Sequence, residues 1–259
     1  MSKQPTIKQN EPEQAAMNSL QQQIRDNLAR IQTHIGEAAA KAGRKPDEIR
    51  LIGVTKYVDA SMTGEVFHAG CHALGESRPQ SLWEKAEQLS GSCAGVQWHL
   101  IGHLQRNKIR RTLPHVAWIH SGDSERLLQA LDEEAGRLLE LGTLKQAPRV
   151  LLEVNISGDA NKHGFDPSVV GALLERLPDW THLHFAGLMG MASLDGGREQ
   201  AQRDFARLRE LQTVWQAQCP DGITLDELSM GMSGDYDLAI VEGATMVRVG
   251  SAIFEGIDR

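Results

Sequence analysis

Short apolar runs recur along this chain, and stretches with helical spacing separate them. The runs fall at 51–56, 72–76, 96–102, 115–120, 149–155, 182–188, 224–228 and 245–249. Each is short, rich in Val, Leu and Ile, and bounded by Gly, Pro, Asp or Ser, which predicts buried strands. Between them the apolar positions follow the period of a helix. Leu20, Ile24, Leu28, Ile31 and Ile35 set a helix over 18–42, ended by Gly43 and Pro46. Further helices are expected over 60–69, 79–89, 105–113, 123–141, 167–176, 197–218 and 235–242. No hairpin signal joins any two strands. Strict alternation of strand and helix implies parallel pairing through helical crossovers. Eight such units in 259 residues predict an α/β fold, a single (β/α)8 TIM barrel. A doubly wound open sheet is the alternative arrangement, and no GxGxxG follows a strand to support it.

Composition narrows the class. Hydrophobic residues make up 41% and charged residues 24%, values of an ordinary globular chain. A net charge of −7 argues against a general nucleic-acid binder. No apolar run approaches the ~20 residues that a membrane span needs. Cys71, Cys93 and Cys219 are odd in number and lack CxxC spacing, so free thiols in a reducing cytoplasm are expected. The polar stretch 1–16 reads as a disordered tail with no secretory signal, and the barrel as residues 17–259.

The chemistry begins at Lys56. It follows Leu51-Ile52-Gly53-Val54-Thr55 and has the parity of Ile52 and Val54. The local sequence also fits a lysine that has left the strand for water. At the C-terminal end of a barrel strand, where active sites of this architecture lie, desolvation would favour the neutral, nucleophilic amine. The ends of strands seven and eight carry Ser229-Met-Gly-Met-Ser233 and Gly250-Ser251, short glycine-containing segments where backbone amides can approach an anion. Arg248 adds a permanent charge. A lysine facing an anion cradle describes a pocket for an aldehyde that carries a phosphate, and pyridoxal 5′-phosphate fits.

The motifs Val54-Thr55-Lys56, Gly75-Glu76-Ser77-Arg78, the 98–108 run, Lys162-His163-Gly164-Phe165, Gly187-Leu188-Met189, the 228–233 run and Val247-Arg248-Val249-Gly250 occur in this order. Over about 20–254 the chain resembles the pyridoxal phosphate homeostasis proteins, the YggS-like or proline-synthase co-transcribed family. The resemblance implies a barrel of the alanine racemase N-terminal type lacking that enzyme's C-terminal β domain. It implies an internal aldimine on Lys56, with Ser229, Gly231, Gly250 and Ser251 around the phosphate. Arg248 would lie by the phosphate or the pyridine nitrogen, Asn155 and Met189 would line the pocket, His99 would lie beneath the ring, and Ser77 would stand where the family usually has asparagine. Glu153 stands where glutamine is commoner, and the end 254–257 departs from the family's usual Phe-Gly-x-Arg. The resemblance also implies a cytoplasmic, non-catalytic carrier that takes part in vitamin B6 and amino-acid homeostasis. The expected partners are the cofactor and pyridoxal phosphate-dependent apoenzymes, and the absent racemase domain favours a monomer. A weak racemase is the alternative, with a cofactor sensor read by a partner protein as the third.

Other patterns are set aside. His182-x-His184 shares a strand face but lacks a third ligand. His99-x3-His103 has helical metal spacing, but Gly102 and a strand intervene, so no metal site is expected. The basic run Arg106, Lys108, Arg110 and Arg111 reads as a solvated face. Lys162 could capture a second aldehyde, and more simply is a solvated loop lysine.

Overall fold

The computed structural model describes residues 11–159, 163–193 and 195–257. Its strands are β1 (Arg50–Val54), β2 (Ala73–Glu76), β3 (Gln97–Leu100), β4 (Val116–Gly122), β5 (Arg149–Val154), β6 (His184–Gly190), β7 (Glu227–Met232) and β8 (Met246–Val249). They close in sequence order into a barrel, and β8 returns to pair in parallel with β1. The helices are α1 (Glu11–Lys41), α2 (Ala60–His68), α3 (Pro79–Leu89), α4 (Ile109–Thr112), α5 (Glu125–Glu140), α6 (Pro167–Leu174), α7 (Gly197–Gln216) and α8 (Tyr236–Val241). The (β/α)8 expectation therefore holds in full.

Strand alternation divides the apolar side chains between two cores. Ile52, Ala73, Trp118, Leu151, Ala186, Met189 and Met246 pack inside the barrel. The opposite parity, with Leu51, Leu74, Leu100 and Val247 among it, packs against the helices. Such a packed interior makes the barrel a solid scaffold whose loops are free to carry chemistry. At its N-terminal mouth, the guanidinium carbons of Arg50 and Arg149 lie 5.2 and 5.1 Å from the Trp118 ring centroid.

Among the boundaries that differ from expectation, three stand out. α1 begins at Glu11 rather than residue 18. Residues 11–16 of the expected tail are therefore helical, and residues 1–10 lie outside the described residues. The Ser-Met-Gly-Met run is strand rather than loop, because β7 covers Glu227–Met232 while 224–226 are irregular. Serine and glycine there look like a turn, yet Ser229 pairs with Met189 of β6 and with Met246 of β8. A register shift between Ser229 and Met232 accommodates Gly231 at φ +90°. β1 stops at Val54, so Lys56 has already left the strand.

The chain's first and last elements are joined. The Asn27 side chain in α1 is buried and donates to the Ile253 and Glu255 carbonyls at 2.9 Å each. This contact fixes the turn after β8.

Candidate functional site

A cavity of about 320 Å³ opens at the C-terminal ends of β1, β7 and β8. Lys56 and Tyr57 form one wall, and Ser77 and Ile101 the neighbouring one. Met232, Ser233 and Gly234 after β7 face Gly250, Ser251 and Phe254 after β8. Val54, Met191 and Arg248 complete it. Among the described residues the lining holds two cations, Lys56 and Arg248, and no carboxylate or histidine.

Lys56 is exposed, with its amine 5.0 Å from the Tyr57 ring centroid. The desolvation expected of a strand-end lysine is absent, because the chain turns outward once β1 ends. The peptide that carries it is nevertheless clamped. Buried Lys85 donates to the Thr55 carbonyl at 2.8 Å and to Glu76 Oε1 at 2.6 Å. The Thr55 hydroxyl donates to the same Glu76 oxygen at 2.7 Å. Thus α3 and β2 hold the residue before Lys56, and only the lysine side chain is free.

Arg248 is buried and forms part of the cavity wall. It donates to Ser229 Oγ at 2.6 Å and to the Gly190 carbonyl at 3.1 Å. Ser229 Oγ lies 2.8 Å from His120 Nδ1, and His120 Nε2 lies 2.9 Å from His99 Nδ1. Burial lowers both histidines, His99 to about 3 and His120 well below its ordinary value, so both are neutral at pH 7. One direction of donation, Arg248 to Ser229 to His120 to His99, satisfies every shared contact. It leaves the buried His99 Nε2, which has no partner, as the terminal N–H. Burial also lowers Arg248 to about 10, which keeps it charged at neutral pH.

The structure brings together five of the sequence-derived residues, Lys56, Ser77, Arg248, Gly250 and Ser251, on the cavity wall. The other five stand apart from it. Ser229 and His99 belong to the buried chain beneath Arg248. Met189 is packed in the barrel core. Gly231 faces α8, where an added Cβ would stand 2.5 Å from that of Ala239. Asn155 is occupied in its own loop, donating to the Asp159 carbonyl at 2.8 Å and accepting from Ser157 at 3.2 Å. Lys162 lies outside the described residues. Sequence reasoning passed over Ser233, Met191, Met232 and Phe254 as wall residues. Ser233 was within reach as the last residue of the Ser-Met-Gly-Met-Ser run, and its Oγ accepts from the Gly250 amide at 3.1 Å, tying the two loops together.

The histidine pair 182/184 does not make a site. His182 lies in a turn against Asp132, and His184 starts β6 at the opposite end of the barrel. His99 is buried in the barrel while His103 is exposed on the rim.

Glu153 is buried on β5, and burial first, then the charge of Asp123, raises its carboxyl to about 7. The folded chain therefore binds this proton more tightly than the unfolded chain. Its contribution to stability is complete below the ordinary value of 4.5 and is lost as pH rises through about 7. Glu153→Gln is expected to remove that slope, adding about 3 kcal/mol above the window. Urea unfolding on both sides of the window checks this, and an unchanged slope would contradict it.

Comparison with known proteins fits this geometry. Residues 20–257 match the alanine racemase N-terminal domain family. A pyridoxal phosphate homeostasis protein of Pseudomonas aeruginosa is 37% identical, the match covering 91% of this chain and 96% of that protein. The Escherichia coli K12 protein of the same description is 33% identical, covering 91% and 97%. The chain belongs to the pyridoxal phosphate homeostasis protein family. PipY of Synechococcus elongatus PCC7942 has been solved with pyridoxal phosphate bound. It is 35% identical, with a TM-score of 0.77, over 89% of this chain and 99% of that one. Alanine racemase of Bartonella henselae, at 12% identity and a TM-score of 0.63 over 90% of this chain and 58% of that one, shares the fold.

Proposed function

We propose that this chain binds pyridoxal 5′-phosphate in the cavity at Lys56 and holds it without turnover, as a carrier or buffer in vitamin B6 and amino-acid homeostasis. The observation that carries the reading is the convergence of Lys56, Arg248 and two hydroxyl-bearing loops on one cavity. The residues fit the cofactor. About 320 Å³ is within the range of small-ligand pockets, and the two cations suit a ligand that carries a phosphate. Bound there, pyridoxal phosphate supplies an aldehyde that primary amines capture reversibly.

Lys56 is the residue that would hold the aldehyde, and its exposure leaves the cofactor within reach of an acceptor. Ser233, Gly234, Gly250 and Ser251 would hold the phosphate. Arg248 supplies charge, and Ser77 a short hydroxyl where the family's asparagine reaches further. Ser229 and His99 act from beneath by fixing Arg248, Met189 fills the floor, and Gly231 seats the β7 end on α8. Asn155 would order the neighbouring loop. The names of the relatives and the bound cofactor of PipY support the same reading. A wall that holds no carboxylate or histidine among the described residues offers little for general acid–base work. Tyr57 beside Lys56 is the feature that favours the second reading, a weak racemase.

The test is an absorbance spectrum of purified protein with added pyridoxal phosphate. A visible band that borohydride abolishes, with the label mapped to Lys56, is expected. Amino acids should then produce no turnover, and racemisation of alanine followed by polarimetry would establish the second reading instead.

Among the described residues no helix is long and apolar enough to cross a membrane, and Cys71, Cys93 and Cys219 are unpaired, which supports a reducing cytoplasm. Among the described residues the exposed large apolar residues Met17, Tyr57, Leu141, Val169, Val214 and Val241 lie on separate elements, which supports a monomer. Light scattering is expected to give the monomer mass at every concentration; a concentration-independent dimer would contradict it. Apoenzymes that require the cofactor are the proposed recipients.

A further inference from the structure

We infer that His103, Asp123 and His163 form a binding site for a divalent transition metal, Zn²⁺ above others, on the rim of the barrel. The inference does not rest on the reading of the cavity.

The three residues come from three different strand ends. His103 follows β3, Asp123 follows β4, and His163 lies in the loop after β5. Their ligand atoms all lie within 4.8 Å of one another. His103 Nδ1 is 2.6 Å from Asp123 Oδ2, and His163 Nδ1 is 3.9 Å from the same oxygen. Zn²⁺ held tetrahedrally by N and O at about 2.0–2.1 Å sets its ligand atoms roughly 3.3 Å apart. The short contact would open and the long one would close towards that spacing. Two imidazoles with one carboxylate are the donor set of catalytic zinc sites, with one position left open. Imidazole donors disfavour Mg²⁺ and Ca²⁺, which take oxygen.

The site is supported from behind. The Asp123 side chain is 5% exposed, and its second oxygen, Oδ1, accepts from the Ser124 hydroxyl at 3.0 Å, which leaves Oδ2 to face the histidines. The His103 loop is pinned because Ser121 Oγ donates to the Gly102 carbonyl at 2.8 Å. The chain just after His163 is pinned by exchange with the end of β5. The Phe165 amide donates to the Glu153 carbonyl at 2.7 Å, and the Asn155 amide to the Phe165 carbonyl at 2.9 Å. The imidazoles stack at 4.6 Å between centroids and 14° between planes. Both are open to water, with side-chain exposures of 44% for His103 and 63% for His163, so a metal has a path in. His103 also lines a cleft that shares Ser77 with the cavity and includes Arg78 and Lys108. The open metal position and these cations would together attract an anionic group.

The test is zinc titration of the full chain against a chromophoric chelator, beside His103→Ala, His163→Ala and the double variant. Both histidines are exposed, so these variants should fold. Wild type is expected to bind one Zn²⁺. Each single variant should weaken it by more than the 10–100-fold, roughly, that a lost supporting partner costs. Co²⁺ in place of zinc should give tetrahedral visible bands without a thiolate charge-transfer band. Lys56→Ala should keep its zinc. Failure of the wild type to bind, equal binding by the double variant, a thiolate signature, or loss of zinc in Lys56→Ala would each overturn the assignment. The last outcome would place the metal at the cavity instead.

Discussion

Lys56→Ala is expected to abolish the visible band and to release pyridoxal phosphate on gel filtration. The cavity would keep Arg248 and the loops after β7 and β8, so weak anion binding should persist. What goes is the amine, and affinity should fall at least tenfold, about 1.4 kcal/mol or more. Lys56→Arg separates charge from chemistry. Arginine keeps the cation and adds donors, but it stays protonated and does not condense with an aldehyde. It should therefore match alanine in the borohydride experiment while holding free phosphate better than alanine does. A borohydride-sensitive band that persists in either variant would move the attachment to another lysine and remove the basis of the proposed function. Unfolding in urea should be nearly unchanged for both, because Lys56 is exposed.

The second large effect lies in the clamp on Thr55, the residue before Lys56. Glu76 and Lys85 form a buried ion pair, with side chains 0% and 8% exposed and 2.6 Å between Oε1 and Nζ. Lys85→Ala would strand the Glu76 carboxylate in the barrel wall, where its other oxygen already lacks a partner. Removing one member of such a pair costs about 3–5 kcal/mol. The double variant Glu76→Gln with Lys85→Met should recover much of that loss, since no uncompensated charge would remain. Urea unfolding of the three variants measures it, and a Lys85→Ala cost within about 0.5 kcal/mol of zero, as at an ordinary surface site, would refute the argument. Because Lys85 also holds the Thr55 carbonyl, Lys85→Ala should loosen the Lys56 turn and reduce cofactor retention even where the chain stays folded.

The strand order, the barrel and four wall residues could be read from the sequence because each rests on local information, while Ser77 follows from the family resemblance alone. Apolar runs and helical spacing mark the elements. Lys56, Ser77, Arg248, Gly250 and Ser251 sit at or next to strand ends. What could not be read depends on partners far away in the chain. His120 meets Ser229 across 109 positions, and no spacing rule connects them. Ser229 and Gly231 look like turn residues until β6 and β8 pair on either side of them. Of the two readings of Lys56, the lysine that has left the strand for water holds, because β1 stops two residues before it. Asp123, His103 and His163 escaped notice because their closeness belongs to three loops, not to any motif.

The contact between Asn27 and the Ile253 and Glu255 carbonyls bears on the order of events during synthesis. A ribosome makes the chain from its N-terminus, so Lys56 and Ser77 emerge long before Ser251 and Phe254, which form the facing wall. Until those residues are made, the nascent chain displays the Lys56 amine with no compartment around it. The receptacle needs both walls, and α1 holds the turn that carries the second. A ligand that needs both walls of this cavity would therefore load only after β8 and the turn that follows it have been made.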